Sequence, residues 1–176
     1  MIINDIKKTL FMYRNGVVAD SLRESGDPHH TIFGLLLPQL TEIANTISKD
    51  KNTASLLWEQ TTSRECRLLA PMIFPFDELT PAIGKQWIND AISYEEIDIV
   101  CFKLLSRVPF AIELVQDFIK ENNNNDNYSY AALRLILNLI AQGKLQKSEI
   151  PRDMLSSFSS SHKESIKQLL KQIQEY

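Results

Sequence analysis

Apolar residues recur along this chain at spacings of three and four, the period of helices with one face buried. Ile6, Leu10, Tyr13, Val17 and Leu22 predict a first helix from Ile3 to about Arg23. Gly26, Asp27 and Pro28 then break the chain. A second helix opens around Pro38, where proline suits the first turn, and carries Leu40, Ile43, Ala44 and Ile47. The polar run Lys49-Asp50-Lys51-Asn52 reads as a turn. Thr53 to Gln60, with Leu56, Leu57 and Trp58, predicts a short helix. Another follows Thr62-Ser63, carries Cys66, Leu69, Ala70 and Ile73, and stops at Pro75.

The second half keeps the pattern. Thr80-Pro81 reads as an N-cap with proline at the first helical position, ahead of Ile83, Trp87 and Ile88. Ser93-Tyr94-Glu95-Glu96 is a capping box, in which the Ser93 hydroxyl accepts from the Glu96 amide and Glu96 reaches back to the Ser93 amide. That helix continues to about Arg107. Pro109 opens the next, through Ile112, Val115 and Ile119, and Asn122 to Asn127 is a solvated loop. A strongly apolar helix runs from Tyr128 to Gln142, with Gly143 at its C-terminal end. Two more close the sequence, near Pro151–Phe158 and His162–Gln174. About ten helices with short polar turns and no strand pattern predict an all-α fold. Its architecture is a HEAT-like repeat α-solenoid, an α-α superhelix, built as a single domain over residues 1–176. The alternative architecture is a globular helical bundle.

Composition changes this picture in one respect. The 44% of hydrophobic and 23% of charged residues are ordinary for a globular domain, but the net charge is −3. A DNA-binding protein draws affinity from phosphate neutralisation, so any DNA contact here needs a local basic face. Cys66 and Cys101 lie in apolar helical stretches and are expected to be buried, reduced thiols. The opening MIINDIKKTLFMY holds no apolar run fit for a signal core or a membrane span, so a cytoplasmic location is expected. His29-His30 has no third ligand at suitable spacing, and no metal or other cofactor is expected. There is no Gly-rich phosphate loop and no Ser/His/Asp order.

Three stretches in order resemble a known family. Phe33-Gly34 with Leu37-Pro38-Gln39-Leu40 and Ile43-Ala44 is one, and Leu57-Trp58 followed by Arg64-Glu65-Cys66-Arg67-Leu68-Leu69-Ala70 is the second. Trp87 followed by Ser93-Tyr94-Glu95-Glu96-Ile97-Asp98 is the third. Together, over roughly residues 30 to 140, they resemble the HEAT-repeat DNA alkylation-repair family, DNA glycosylases of the AlkD type.

The resemblance implies double-stranded DNA as partner and excision of cationic alkylated bases. A carboxylate facing the sugar would stabilise its oxocarbenium-like charge. Asp98 falls on the family's catalytic Asp position and Tyr94 on that of an active-site Trp. The family's DNA-contacting Arg falls on Leu133 unless Arg134 takes its place, and no residue matches its second, C-terminal Trp.

Read as residues alone, the same positions have plainer roles. Asp98 is an exposed or ion-paired acid, and Tyr94 is a first-turn residue packing on the preceding loop. Trp58 and Trp87 lie on apolar faces and belong to the core. Arg64 with Arg67, and Lys103 with Arg107, are basic pairs about one helical turn apart. They are solvated faces or, gathered into one stripe, phosphate contacts. Lys163, Lys167 and Lys171 form a row opposite Ile166, Leu169, Leu170 and Ile173, the pattern of an amphipathic helix. The alternative function is a non-catalytic HEAT-like scaffold that binds protein or DNA.

Overall fold

A computed structural model describes residues 3–121, 125–150, 155, 156, 158, 161 and 163–176. The described residues form ten α-helices and no strand. They gather into two compact units, Met1–Leu79 and Thr80–Tyr176.

The first unit holds α1 (Ile3–Met12), α2 (Gly16–Glu24), α3 (Leu37–Thr46), α4 (Lys51–Trp58) and α5 (Arg64–Ile73). The single helix expected over Ile3–Arg23 is two. Asn15 takes an extended conformation and its side chain accepts from the Val18 amide at 3.3 Å, so it caps a new helix start within an unbroken apolar spacing. The polar run expected as a turn over 49–52 also caps a helix. Asp50 accepts from the Thr53 amide at 2.6 Å, which starts α4 at Lys51.

A buried polar cluster organises this unit. The Glu65 side chain has no exposed area, yet it carries a carboxylate. That carboxylate accepts from the amides of Phe33 at 3.0 Å, Gly34 at 2.9 Å and Leu35 at 3.3 Å, and from Arg64 Nη1 at 2.9 Å. Without Glu65 these three amides would lose their acceptor, which is costly for buried donors. The chain can turn there because Gly34 sits at φ +79°, and a Cβ at that position would lie 2.2 Å from the Asn15 carbonyl oxygen. Arg67, 1% exposed, donates to the Trp58 carbonyl at 2.6 Å and lays its guanidinium over the Trp58 ring at 3.6 Å.

The second unit holds α6 (Pro81–Asp90), α7 (Tyr94–Lys103), α8 (Ala111–Lys120), α9 (Asp126–Ala141) and α10 (Glu164–Glu175). Helix α9 is its axis and packs on α6, α7, α8 and α10. Tyr130 to Leu133, Leu135 to Leu137 and Leu139 are all buried, so α9 is apolar on most of its circumference, as a central helix must be. Thr80 and Ser93 cap α6 and α7 as expected, accepting from the Ile83 amide at 3.3 Å and the Glu96 amide at 3.2 Å. The Glu96 carboxylate reaches the Ile92 amide at 2.8 Å, one residue before Ser93.

Helix α7 ends at Lys103, earlier than Arg107, and a 3-10 turn covers Leu105–Arg107. Helix α9 starts two residues before Tyr128, because Asn125 accepts from the Asn127 and Tyr128 amides. Part of the loop expected over 122–127 and most of the helix expected near Pro151–Phe158 lie outside the described residues. Helix α10 buries Ile166, Leu169, Leu170 and Ile173 and leaves Lys167 and Lys171 exposed, the amphipathic arrangement its spacing predicts.

Candidate nucleic-acid site

The capping box that starts α7 at Tyr94 also sets the direction of Tyr94 and Asp98. Four residues apart on one helix, they lie on the same face. That face meets α9, whose Tyr130 and Arg134 have the same spacing. The four side chains form one cluster. The Tyr94 and Tyr130 rings stack with centroids 4.1 Å apart at 12°. Arg134 approaches Asp98 side-on, with Nε 2.6 Å from Oδ1 and Nη2 3.3 Å from Oδ2. Arg134 Nη2 also donates to the Tyr130 hydroxyl at 3.1 Å.

The cluster is half open to solvent. The Arg134 and Asp98 side chains are 27% and 35% exposed, while Tyr130 is buried. Burial pushes the Asp98 carboxyl above its ordinary range, and the Arg134 charge opposes this. Burial, with the Asp98 charge beside it, pushes the Tyr130 phenol up to about 12, so its hydroxyl keeps its proton. The site is therefore a carboxylate held by a guanidinium fork and walled by a stacked aromatic pair. It can meet a cation through Asp98 or an anion through Arg134.

The other expected residues fall in different places. Leu133 is fully buried, and Arg134 is the α9 residue that pairs with Asp98. Lys103 closes α7 five residues after Asp98, so its side chain is turned away by about 140° at 100° per residue. Its Nζ lies 4.9 Å from the Phe102 ring centre, and burial with nearby Arg107 lowers its pKa. Arg107 is exposed at the end of the 3-10 turn.

Arg64 and Arg67, expected as phosphate contacts, have a geometry that argues otherwise. At 5% and 1% exposed, their guanidinium groups are engaged by Glu65, the Leu35 carbonyl and the Trp58 carbonyl. The stretch that carries much of the resemblance is thus internal scaffolding. Tyr130 joins the site although the sequence reading does not single it out; the signal was its spacing from Arg134, which repeats that of Tyr94 and Asp98.

Trp58 and Trp87 are buried in the core. His29 is 4% exposed, and its Nδ1 lies 2.8 Å from Asp27 Oδ1. Both cysteines are free and buried. Among the described residues no group of three His, Cys, Asp or Glu side chains could hold a metal ion, and no helix is long and apolar enough to cross a membrane.

A family model described as "DNA alkylation repair enzyme" matches residues 6–171, and the chain belongs to that family. The match spans both compact units. The fold is similar to that of a solved structure described as "a new family of proteins related to the HEAT-like repeat DNA glycosylases with affinity for branched DNA structures". The two share a TM-score of 0.75 at 16% identity, over 98% of this chain and 74% of that one. The all-α, HEAT-like fold is thereby established. No curated protein matches the chain.

Proposed function

We propose that this protein binds DNA through the α7–α9 face and that Asp98 supports release of cationic alkylated bases. The observation that carries this is the Asp98–Arg134 pair, charged, half exposed and flanked by stacked Tyr94 and Tyr130. A cationic base is a good leaving group. The C1′–N bond breaks, its electron pair leaves with the base and cancels the base's charge, and C1′ becomes cationic. Water then adds to C1′ and gives up a proton to solvent or to Asp98.

A carboxylate about 4 Å from that cation is worth roughly 4 kcal/mol at an effective dielectric of about 20. The Arg134 fork opposes this attraction while it remains on Asp98. A DNA phosphate resolves the conflict by drawing Arg134 away, since phosphate takes the same fork. DNA binding and exposure of the catalytic carboxylate then become one event. Arg107, exposed beyond the end of α7, adds a phosphate contact further along the unit.

The second reading is a DNA-binding protein without base release. The same pair favours it if Arg134 stays in place, because Asp98 is then neutralised. Both readings are tested with duplex DNA carrying a cationic methylated purine. Release by the parent chain that Asp98→Asn abolishes supports excision. Binding without release supports the second reading. Absence of binding at low salt refutes both.

A further inference from the structure

Arg134 has a second edge. Its Nε and Nη2 face Asp98 and Tyr130, and Nη1 makes no hydrogen bond among the described residues. In a side-on pair the planar group turns that nitrogen away from the carboxylate. Arg134 also lines a groove of about 410 Å3 between α9 and α10, within the ~300–1,000 Å3 range of small-ligand sites. Its other walls include Asn138, Ala141, Gln172, Glu175 and Tyr176. Asn138 lies one helical turn beyond Arg134, and its side-chain nitrogen is buried with no hydrogen-bond partner. A buried amide donor without a partner is unfavourable, and Asn138, which lines the groove, gains one by turning that nitrogen toward a ligand bound there.

We infer that the α9–α10 groove is a binding site for one unpaired DNA nucleotide, adjoining the Asp98 site. Its phosphate first meets Arg134 Nη1 and is the phosphate that then draws the fork off Asp98. Its base edge meets the amides of Asn138 and Gln172, which both donate and accept, and its ring lies against Tyr176, a residue 66% exposed. The Glu175 carboxylate, paired with Lys171 at 3.8 Å, accepts from an exocyclic amino group. A paired base has its edge occupied and its face stacked, so only an unpaired nucleotide presents all three features.

This rests on the proposed DNA binding, and the test separates the two. The affinity of the full chain is measured by fluorescence anisotropy for labelled duplex DNA and for the same duplex bearing a one-nucleotide flap. The parent is expected to prefer the flap. Tyr176→Ala should weaken flap binding by about fivefold or more, the scale of one base–aromatic stack. Gln172→Leu should weaken it by about two- to tenfold, the scale of one hydrogen bond. Both residues are exposed, so neither change threatens folding. Plain-duplex affinity should be unchanged in both variants. Equal affinity of the parent for flap and duplex overturns the inference and leaves DNA binding standing. So does a flap preference that both variants keep. Failure to bind either DNA at low salt overturns DNA binding and the inference with it.

Discussion

Glu65→Ala tests whether the family-like stretch at the start of α5 is scaffolding. The Glu65 carboxylate satisfies three backbone amides, those of Gly34 and Leu35 buried and that of Phe33 partly so, and Arg64. Each buried donor left without a partner costs about 1–3 kcal/mol. Breaking a buried ion pair by removing one partner costs about 3–5 kcal/mol. These terms overlap, and water entering the vacated space relieves some of them. A loss of about 4 kcal/mol is therefore a conservative expectation. Set against a usual domain stability of about 5–15 kcal/mol, this removes much of what holds the first unit. Glu65→Gln keeps one acceptor oxygen but turns an NH2 toward a donor, so it should cost about half as much. The two tryptophans allow a local readout. In a Trp87→Phe background only Trp58 remains, stacked under Arg67 in the first unit. Urea unfolding followed by Trp58 fluorescence should then show the order parent, Gln, Ala. An Ala variant within about 1 kcal/mol of its parent would refute the structural role assigned to Glu65.

Three further outcomes follow from the same reasoning. Gly34→Ala should destabilise the chain by about 2 kcal/mol or more, since a positive φ and a 2.2 Å clash with the Asn15 carbonyl coincide; thermal unfolding measures it. Burial raises Asp98 above its ordinary 3.8, so between 3.8 and the raised value an unfolded chain ionises while the folded one holds its proton. Asp98 therefore withdraws stability as pH rises through that window, and the same ionisation supplies the carboxylate for base release. Release should climb with pH with an inflection above 3.8; Asp98→Asn removes the inflection, and Arg134→Gln moves it upward by deleting the opposing cation. Burial raises both thiols, Cys101 well above 9.0, so neither should react with a thiol reagent in the native protein. On the alkaline side their protonated form stabilises the fold only below the unfolded thiol pKa, so stability should fall as pH rises past it, as unfolding curves at two alkaline pH values would show.

Most helices are legible in the sequence because periodic burial and caps are local signals. Ser93, Thr80 and Pro38 act within one turn of themselves, and a helix starts at each. The pair α1 and α2 reads as one helix in the sequence because Ile6, Leu10 and Val17 keep a helical period across a break that Asn15 makes. Hydrophobic spacing is insensitive to a short interruption when the apolar residues resume in phase. The run over 49–52 reads as a turn, yet one polar side chain within it, Asp50, starts a helix.

The residue chemistry divides along the same line. Sequence spacing alone determines that Tyr94 and Asp98 share one helix face, and Tyr130 and Arg134 another, because a helix repeats every 3.6 residues. Only tertiary packing decides that these two faces meet, that Arg134 and not Leu133 turns toward Asp98, and that Tyr94 stacks on Tyr130. It decides also that Arg64 and Arg67 serve the interior. A basic residue in a helical pattern is solvated by default, and nothing local announces a buried carboxylate. Glu65 is one because residues 33 to 35, some thirty positions away, bring three amides that need an acceptor.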